Sequence, residues 1–296
     1  MSVGEYVLAT RPWSFTAAII PVLVVTAATK SSLMSESFVR ALVMAVAVQA
    51  GANLTNTYFD FVNGFDTKVG GERTLVEHKV SSTGVLLLSA ICYMCGVCAV
   101  VPILLEEQNE QLTIIVAAGV MLAFFYTANP VGLKYRALGD VTIFACFGPL
   151  LMQCTAILLT GKTHTYLYLY SVPIGLLTEA ILHGNNARDI SIDRAAGAVT
   201  LATMIGPELS KAFFVALLIG SYFSALVVAY LHHWGCLAVL ATIPLTTDLL
   251  HRYSDNKMAD LPENTAKLHL PFGILMWLGI MWTDAGASSL LFLQKS

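Results

Sequence analysis

Charge is what this chain has least of. Only 12% of its 296 residues are Asp, Glu, Lys or Arg, against roughly 25% in soluble domains. With 56% hydrophobic residues and a mean hydropathy of +0.71, that scarcity excludes an ordinary soluble fold and points to an integral membrane protein. A basic surplus is missing too, since the formal net charge is −3. Nucleic acid is thereby excluded as a partner, because its phosphates call for a basic surface. Targeting features are also lacking. The first apolar run follows a lone Arg11 and Glu5 without an A-x-A-like exit, so no cleaved signal peptide is expected, and the N-terminus is neither Arg-rich nor acid-poor as a transit peptide would be. The six cysteines all fall in apolar runs. Cys92, Cys95 and Cys98 have metal-like spacing but neither a His nor a fourth thiolate nearby in sequence, so they read as small packing residues. The Asn53-Leu54-Thr55 sequon lies inside an apolar run and reads as accidental.

Spanning helices need about 20 mostly apolar residues each. Nine candidates follow, near 13–30, 38–60, 83–105, 112–128, 140–160, 166–184, 209–231, 235–251 and 268–293. The expected fold is an all-α, polytopic membrane helix bundle of about nine transmembrane helices, forming one domain over residues 1–296. Nine spans put the N-terminus and the loops after the even-numbered spans on one face. That face receives 12 of the 16 Lys and Arg residues, whereas the opposite face carries the acidic EEQNE loop at 106–110. The positive-inside bias makes the first face cytoplasmic. The three most polar stretches, NTYFDFVNGFDTKVGGERTLVEH, YTANPVGLKYRALGD and HGNNARDISIDRAAG, all belong to it. A folded bundle can gather them into one mouth.

Two of those stretches begin inside the spans. Gln49, Asn53, Asn56, Asp60 and Asn63 recur at steps of four and three, which keeps them within an arc of about 80° on one helix face. Amides and a carboxylate cannot face lipid cheaply, so this seam must face the bundle interior or a wet cavity. Gly64 is expected to end the helix and let Asp66 fold back from the loop. Asn185, Asp189 and Asp193 repeat the four-residue step along a ridge at the end of the sixth span, with Glu179, His183 and Asn186 close to it and deeper in the membrane. Paired carboxylates of this kind serve proton transfer, binding of a transported cation, or magnesium held against a phosphate. Magnesium takes hard oxygen ligands from one or two carboxylates and from substrate phosphates. Arg11, Arg73, Lys134 and Arg188 stand on the same face, and acids mixed with bases suit a diphosphate better than a bare ion. A secondary transporter would instead place polar breaks near the bilayer centre.

The stretches LATRPWSF, NLTNTYFDFVNGFD, ERTLVEHKV, FYTANPVGLKYRALGD, TEAILHGNNARDISIDRAAGAVTLATMIGP and LPENTAKLHL together resemble the UbiA family of intramembrane aromatic prenyltransferases, most of all its animal, menaquinone-4-forming branch. The resemblance implies a magnesium-dependent transfer of a geranylgeranyl group from its diphosphate to a reduced naphthoquinone such as menadiol, with another acceptor such as 4-hydroxybenzoate as the alternative. It makes Asn56, Asp60 and Asp66 the first motif and Asn185, Asp189 and Asp193 the second, with Asp60, Asp66, Asp189 and Asp193 as Mg2+ ligands. Arg11, Arg73, Tyr126, Lys134, Tyr135, Asn186 and Arg188 become substrate-binding positions. The two tyrosines would orient ligands or face the allylic cation; as interfacial aromatics they need neither role. Two departures stand out: Thr57 occupies a position that is acidic in the commoner family form, and Gly64 stands where the last acid is usually found. The resemblance further implies an endoplasmic reticulum, Golgi or mitochondrial membrane, and a regulatory association with HMG-CoA reductase.

Overall fold

A computed structural model describes residues 3–65 and 74–293. Among the described residues the chain is helical throughout, with one isolated bridge between Arg136 and Val199 and no strand. The helices are α1 (Val3–Ala9), α2 (Thr16–Ala28), α3 (Glu36–Val62), α4 (Ser82–Glu107), α5 (Glu110–Phe125), α6 (Gly139–Ala145), α7 (Leu151–Thr160), α8 (Leu167–Arg188), α9 (Ile190–Ala195), α10 (Leu201–Leu231), α11 (Ile243–Ser254) and α12 (Leu261–Leu293). At 27 residues, α3 is about 40 Å long, enough to cross a bilayer. Its start is set by Ser35, whose side chain accepts from the Phe38 amide, and Ser81 does the same for α4 on Gly84.

Five helical segments combine the length and apolarity of a spanning helix: α3, α4, α6 with α7, α10, and Trp234–Ser254. A sixth is the pair formed by Val3–Ser14 and α2, bent by 50°. Three further expected spans coincide with α5, which has only 16 residues, and with α8 and α12. The last two carry groups such as Glu179, His183 and His269 along their length, which lowers their apolarity. The nine runs marked in the sequence therefore map to helices, but not to nine that each meet both criteria. Leu87 and Met94 on α4, and Ile219 and Phe223 on α10, are exposed, as a lipid-facing surface requires. The protein is an integral, multi-pass membrane protein.

Irregularities in the helices decide where the cavity forms. Ahead of the first expected span the chain breaks at Arg11, in the left-handed region at φ 53, before a 3-10 turn at Pro12–Ser14. Between α6 and α7 the chain makes a π-helical turn over Cys146–Leu150 containing Pro149, whose missing N–H cannot support the regular ladder. In α10 the backbone leaves helical geometry at Gly206, φ 80, just before Pro207. Two apolar clusters flank the interior and both use α2. One joins Ile20 and Val24 to Ile174 and Leu177 of α8, Phe214 of α10 and Phe272 of α12. The other joins Ala18 and Val22 to Ala41 of α3, Val100 of α4, Val116 of α5 and Ile157 of α7. Met44, Ala45 and Val116 of the second cluster line an apolar cavity of about 190 Å3.

Candidate active site

The polar seam of α3 faces inward. Its upper members hold the break at Arg11 in place: Gln49 Nε2 donates to the Ser14 carbonyl (2.7 Å), and Asn53 Nδ2 donates to the Thr10 carbonyl (2.7 Å) and to Ser14 Oγ (3.0 Å). Its lower members face the functional mouth. Asn56 Nδ2 donates to Asp60 Oδ2 at 2.8 Å, and Lys134 Nζ donates to the same oxygen at 2.8 Å. The Tyr135 hydroxyl donates to Asp60 Oδ1. Gly64, at φ 77, ends α3 as expected: the Phe65 amide donates to the Asp60 carbonyl and the Gly64 amide to that of Phe61, a Schellman pairing. Phe65 then stacks on Tyr135 with ring centroids 4.3 Å apart. Burial first, and then the Asp60 carboxylate, raise the pKa of the Tyr135 phenol well above its ordinary value, so it remains a donor.

The second motif is built differently from the ridge expected. α8 ends at Arg188, Asp189 is its C-cap at φ −98 and ψ 8, and the short α9 starts at Ile190. The spacing nevertheless survives, because the Asp189 amide still donates to the Asn185 carbonyl and the Asp193 amide to that of Asp189. Arg188 grips Asp189 with a fork, Nε to Oδ1 at 2.8 Å and Nη2 to Oδ2 at 2.6 Å, and also reaches Asn185 Oδ1 at 2.9 Å. Asp193 is buried. Desolvation pushes its pKa up to about 6, and the nearby Asp189 and Asp60 carboxylates add to this while Lys134 opposes it.

Both motifs open onto one polar cavity of about 120 Å3, whose walls include Asp60, Asp189, Asp193, Arg188 and Lys134. Arg11, Trp13, Asn56, Lys134 and Asn185 line this polar cavity and the larger apolar one alike. The two chambers therefore meet at a common wall, one lined by hydrogen-bonding and charged groups, the other by Met44, Val116, Phe147 and Leu182 among others.

Residues 17–283 match the UbiA prenyltransferase family. The chain belongs to the UbiA prenyltransferase family. It is 38% identical to UbiA prenyltransferase domain-containing protein 1 of Danio rerio, over 97% of this chain and 87% of that protein. Against the Homo sapiens protein of that name it is also 38% identical, over 96% of this chain and 85% of the relative. A UbiA homologue from Archaeoglobus fulgidus bound to GPP and Mg2+ shares the fold with a TM-score of 0.65 at 17% identity, over 95% of this chain and 98% of that one. A structure of digeranylgeranylglyceryl phosphate synthase gives 0.59 at 16% identity, with the same coverage.

Within this UbiA-family chain the structure gathers Arg11, Asn56, Asp60, Lys134, Asn185, Arg188, Asp189 and Asp193 at the polar cavity. Tyr135 joins through Asp60, and Tyr126 lines the apolar chamber. Asp66 and Arg73 lie outside the described residues. Asn186 departs from expectation. It shares a face of α8 with Glu179 and His183 rather than with Asn185, lines neither cavity, and is buried with no hydrogen-bond partner on its amide. One residue step along the helix accounts for this, since 100° of rotation turns Asn186 from the mouth toward the neighbouring helices. Sequence reasoning missed Trp13 and Glu263 at the polar cavity and Asp140 behind it. The signal for Glu263 lay in LPENTAKLHL, an acid among apolar residues at a helix start.

Proposed function

We propose that the protein transfers a geranylgeranyl group from its diphosphate to a reduced naphthoquinone such as menadiol, giving menaquinone-4 in its reduced, quinol form and releasing diphosphate. The observation that carries the reading is the common wall between the polar and apolar chambers. A molecule with a charged head and a long apolar tail fits such a pair, with its scissile carbon–oxygen bond at the junction. The animal relatives and the GPP-bound archaeal homologue support the same class of substrate.

The donor set suits Mg2+, a hard cation that takes oxygen ligands. Asp60, Asp189 and Asp193 supply carboxylates, and Asp193 is a buried acid whose pKa is raised by desolvation first and then by the other two. Asp66 is proposed as a fourth ligand from its place in the sequence. When bound there, Mg2+ neutralises charge on the departing diphosphate oxygens.

The chain's own residues then divide the work. Lys134, Arg188 and Arg11 provide positive charge beside the diphosphate. Asn56 holds the Asp60 carboxylate in one rotamer, and Asn185 does the same for Arg188. As the carbon–oxygen bond breaks, its electron pair moves to the diphosphate, and these fixed donors stabilise the charge without rearranging. The apolar chamber excludes water from the allylic cation, so that the aromatic ring attacks in its place.

The test uses the full chain in proteoliposomes with geranylgeranyl diphosphate, reduced menadione and Mg2+. Asp60→Asn and Asp189→Asn should each abolish product. Full activity in either variant would remove that carboxylate from the mechanism, and preference for 4-hydroxybenzoate in direct competition would replace the acceptor.

A further inference from the structure

A second cluster of ionisable groups lies behind the mouth. Asp140 at the start of α6 and Glu179 and His183 on α8 are all buried, and one ligating atom from each lies within 4.8 Å of the others. None of the three lines either cavity. The imidazole decides the chemistry. His183 Nε2 faces the Ser210 carbonyl at 3.2 Å, and a carbonyl only accepts, so Nε2 carries a hydrogen. Nδ1 faces Asp140 Oδ1 at 2.9 Å, so a proton lies between these two atoms whichever of them holds it. With both ring nitrogens committed to hydrogen bonds, no lone pair is left for a metal ion, and the cluster is built for protons.

The carboxylates have capacity to spare. Asp140 Oδ2 and both Glu179 oxygens are buried with no donor serving them, and a carboxylate oxygen of Glu179 lies within 4.8 Å of one of Asp140. Two carboxyl groups this near each other and out of water repel when both are charged, which favours a proton in the cluster. Tyr126 stands between the cavity and the cluster. Tyr126 lines the apolar chamber, and its hydroxyl is buried without a hydrogen-bond partner. That hydroxyl packs against Gly139, where an added Cβ would lie 3.5 Å from it. Gly139 immediately precedes Asp140, and the charges of Asp140, Glu179 and Asp60 all act on the Tyr126 phenol.

We propose that Asp140, Glu179 and His183 accept the proton released by the aromatic ring during prenyl transfer, with the Tyr126 hydroxyl relaying it from the cavity. This rests on the aromatic prenylation proposed above. When the ring carbon bonds to the allylic carbon, its carbon–hydrogen bond must break. The electron pair of that bond restores aromaticity, and the proton passes to Tyr126 Oη as the Tyr126 hydrogen passes to an open carboxylate oxygen of Asp140 or Glu179. No oxidant or reductant is required. Tyr126 is the member facing the reacting ring, and the other three act through it.

The decisive experiment compares reduced menadione carrying hydrogen or deuterium at the prenylated ring carbon, with the full chain in proteoliposomes. In wild type, proton loss is fast and the two acceptors react alike. Glu179→Gln, Asp140→Asn and Tyr126→Phe should each lower kcat about 100-fold, the scale of one lost acid–base contribution. They should leave KM for geranylgeranyl diphosphate unchanged and introduce a primary deuterium isotope effect. Wild-type kcat in all three variants would overturn the proposal, as would a loss of kcat without an isotope effect, which marks a purely structural role. Tyr126→Phe removes only an unpartnered hydroxyl and keeps the test valid if the buried variants do not fold. Infrared spectra of the resting protein provide a readout that needs no acceptor. A protonated-carboxyl band should be present in wild type and altered in Glu179→Gln, and its absence from wild type would refute the proton store. If wild type prenylates no naphthol, the acceptor reading fails while the infrared result still decides the cluster.

Discussion

Lys134 Nζ and Asp60 Oδ2 are joined at 2.8 Å across 74 residues of sequence, with 8% and 6% of their side chains exposed. This buried pair ties the loop after α5 to the end of α3 and gives the mouth its shape. Under the proposed function the same pair meets the diphosphate and its cation.

Removing one member leaves the other charge buried. Lys134→Ala should destabilise the protein by about 3 kcal/mol, the usual cost of an orphaned buried charge. Adding Asp60→Asn to Lys134→Ala should recover part of the loss even though activity stays absent. Thermal unfolding in detergent checks this, and strictly additive losses would show that the two side chains are not coupled.

Asp193 sets a pH dependence. Its pKa of about 6 in the folded protein exceeds the ordinary carboxylate value of 3.8, so the folded state binds a proton more tightly than the unfolded one does. Metal-free protein should therefore gain stability as pH falls from about 7 to about 4, and that gain should be missing in Asp193→Asn. Mg2+ must displace the same proton, so its apparent affinity should fall as pH drops through about 6. Titration of Mg2+ binding at pH 5 and pH 7.5 measures the effect, and equal affinities at the two values would contradict it.

Gly119 of α5 lines the apolar chamber, and an added Cβ there would meet open space. Gly119→Phe should fill the chamber without straining the helix. Transfer from geranylgeranyl diphosphate should fall more than tenfold relative to transfer from geranyl diphosphate, as comparison of kcat/KM for the two donors will show. An unchanged ratio would place the isoprenoid tail elsewhere.

Gly96 allows α4 to lie close against α3. An added Cβ would sit 2.8 Å from Val48 Cγ2 and 3.2 Å from the Met44 carbonyl oxygen, and small residues are what permit such approach between membrane helices. Gly96→Val should cost about 1–3 kcal/mol by overpacking. It should lower the unfolding temperature and leave Mg2+ binding intact.

Much of the mouth was legible because helical periodicity is local. Steps of four and three residues put Gln49, Asn53, Asn56 and Asp60 on one face whatever surrounds them, and Gly64 marks the end of that helix because a residue without Cβ takes the left-handed turn easily. In the second motif the same arithmetic kept the spacing but did not show the break in the helix. It carried Asn185, Asp189 and Asp193 along one ridge, whereas the helix stops at Arg188 and a new one begins at Ile190. It also grouped Asn186 with the mouth, although that residue turns toward the neighbouring helices.

From sequence alone followed the membrane class, the inward polar seam, the collection of acids and bases on one face, and the family. Each depends on composition, on the angle between successive residues, or on motifs contiguous in the chain. The junction of polar and apolar chambers, the Lys134–Asp60 pair and the Asp140–Glu179–His183 cluster were decided only by tertiary structure. Asp140 and His183 stand 43 residues apart, and which buried polar groups become partners depends on how the helices pack, since no residue's own neighbours in sequence encode the helix it will face.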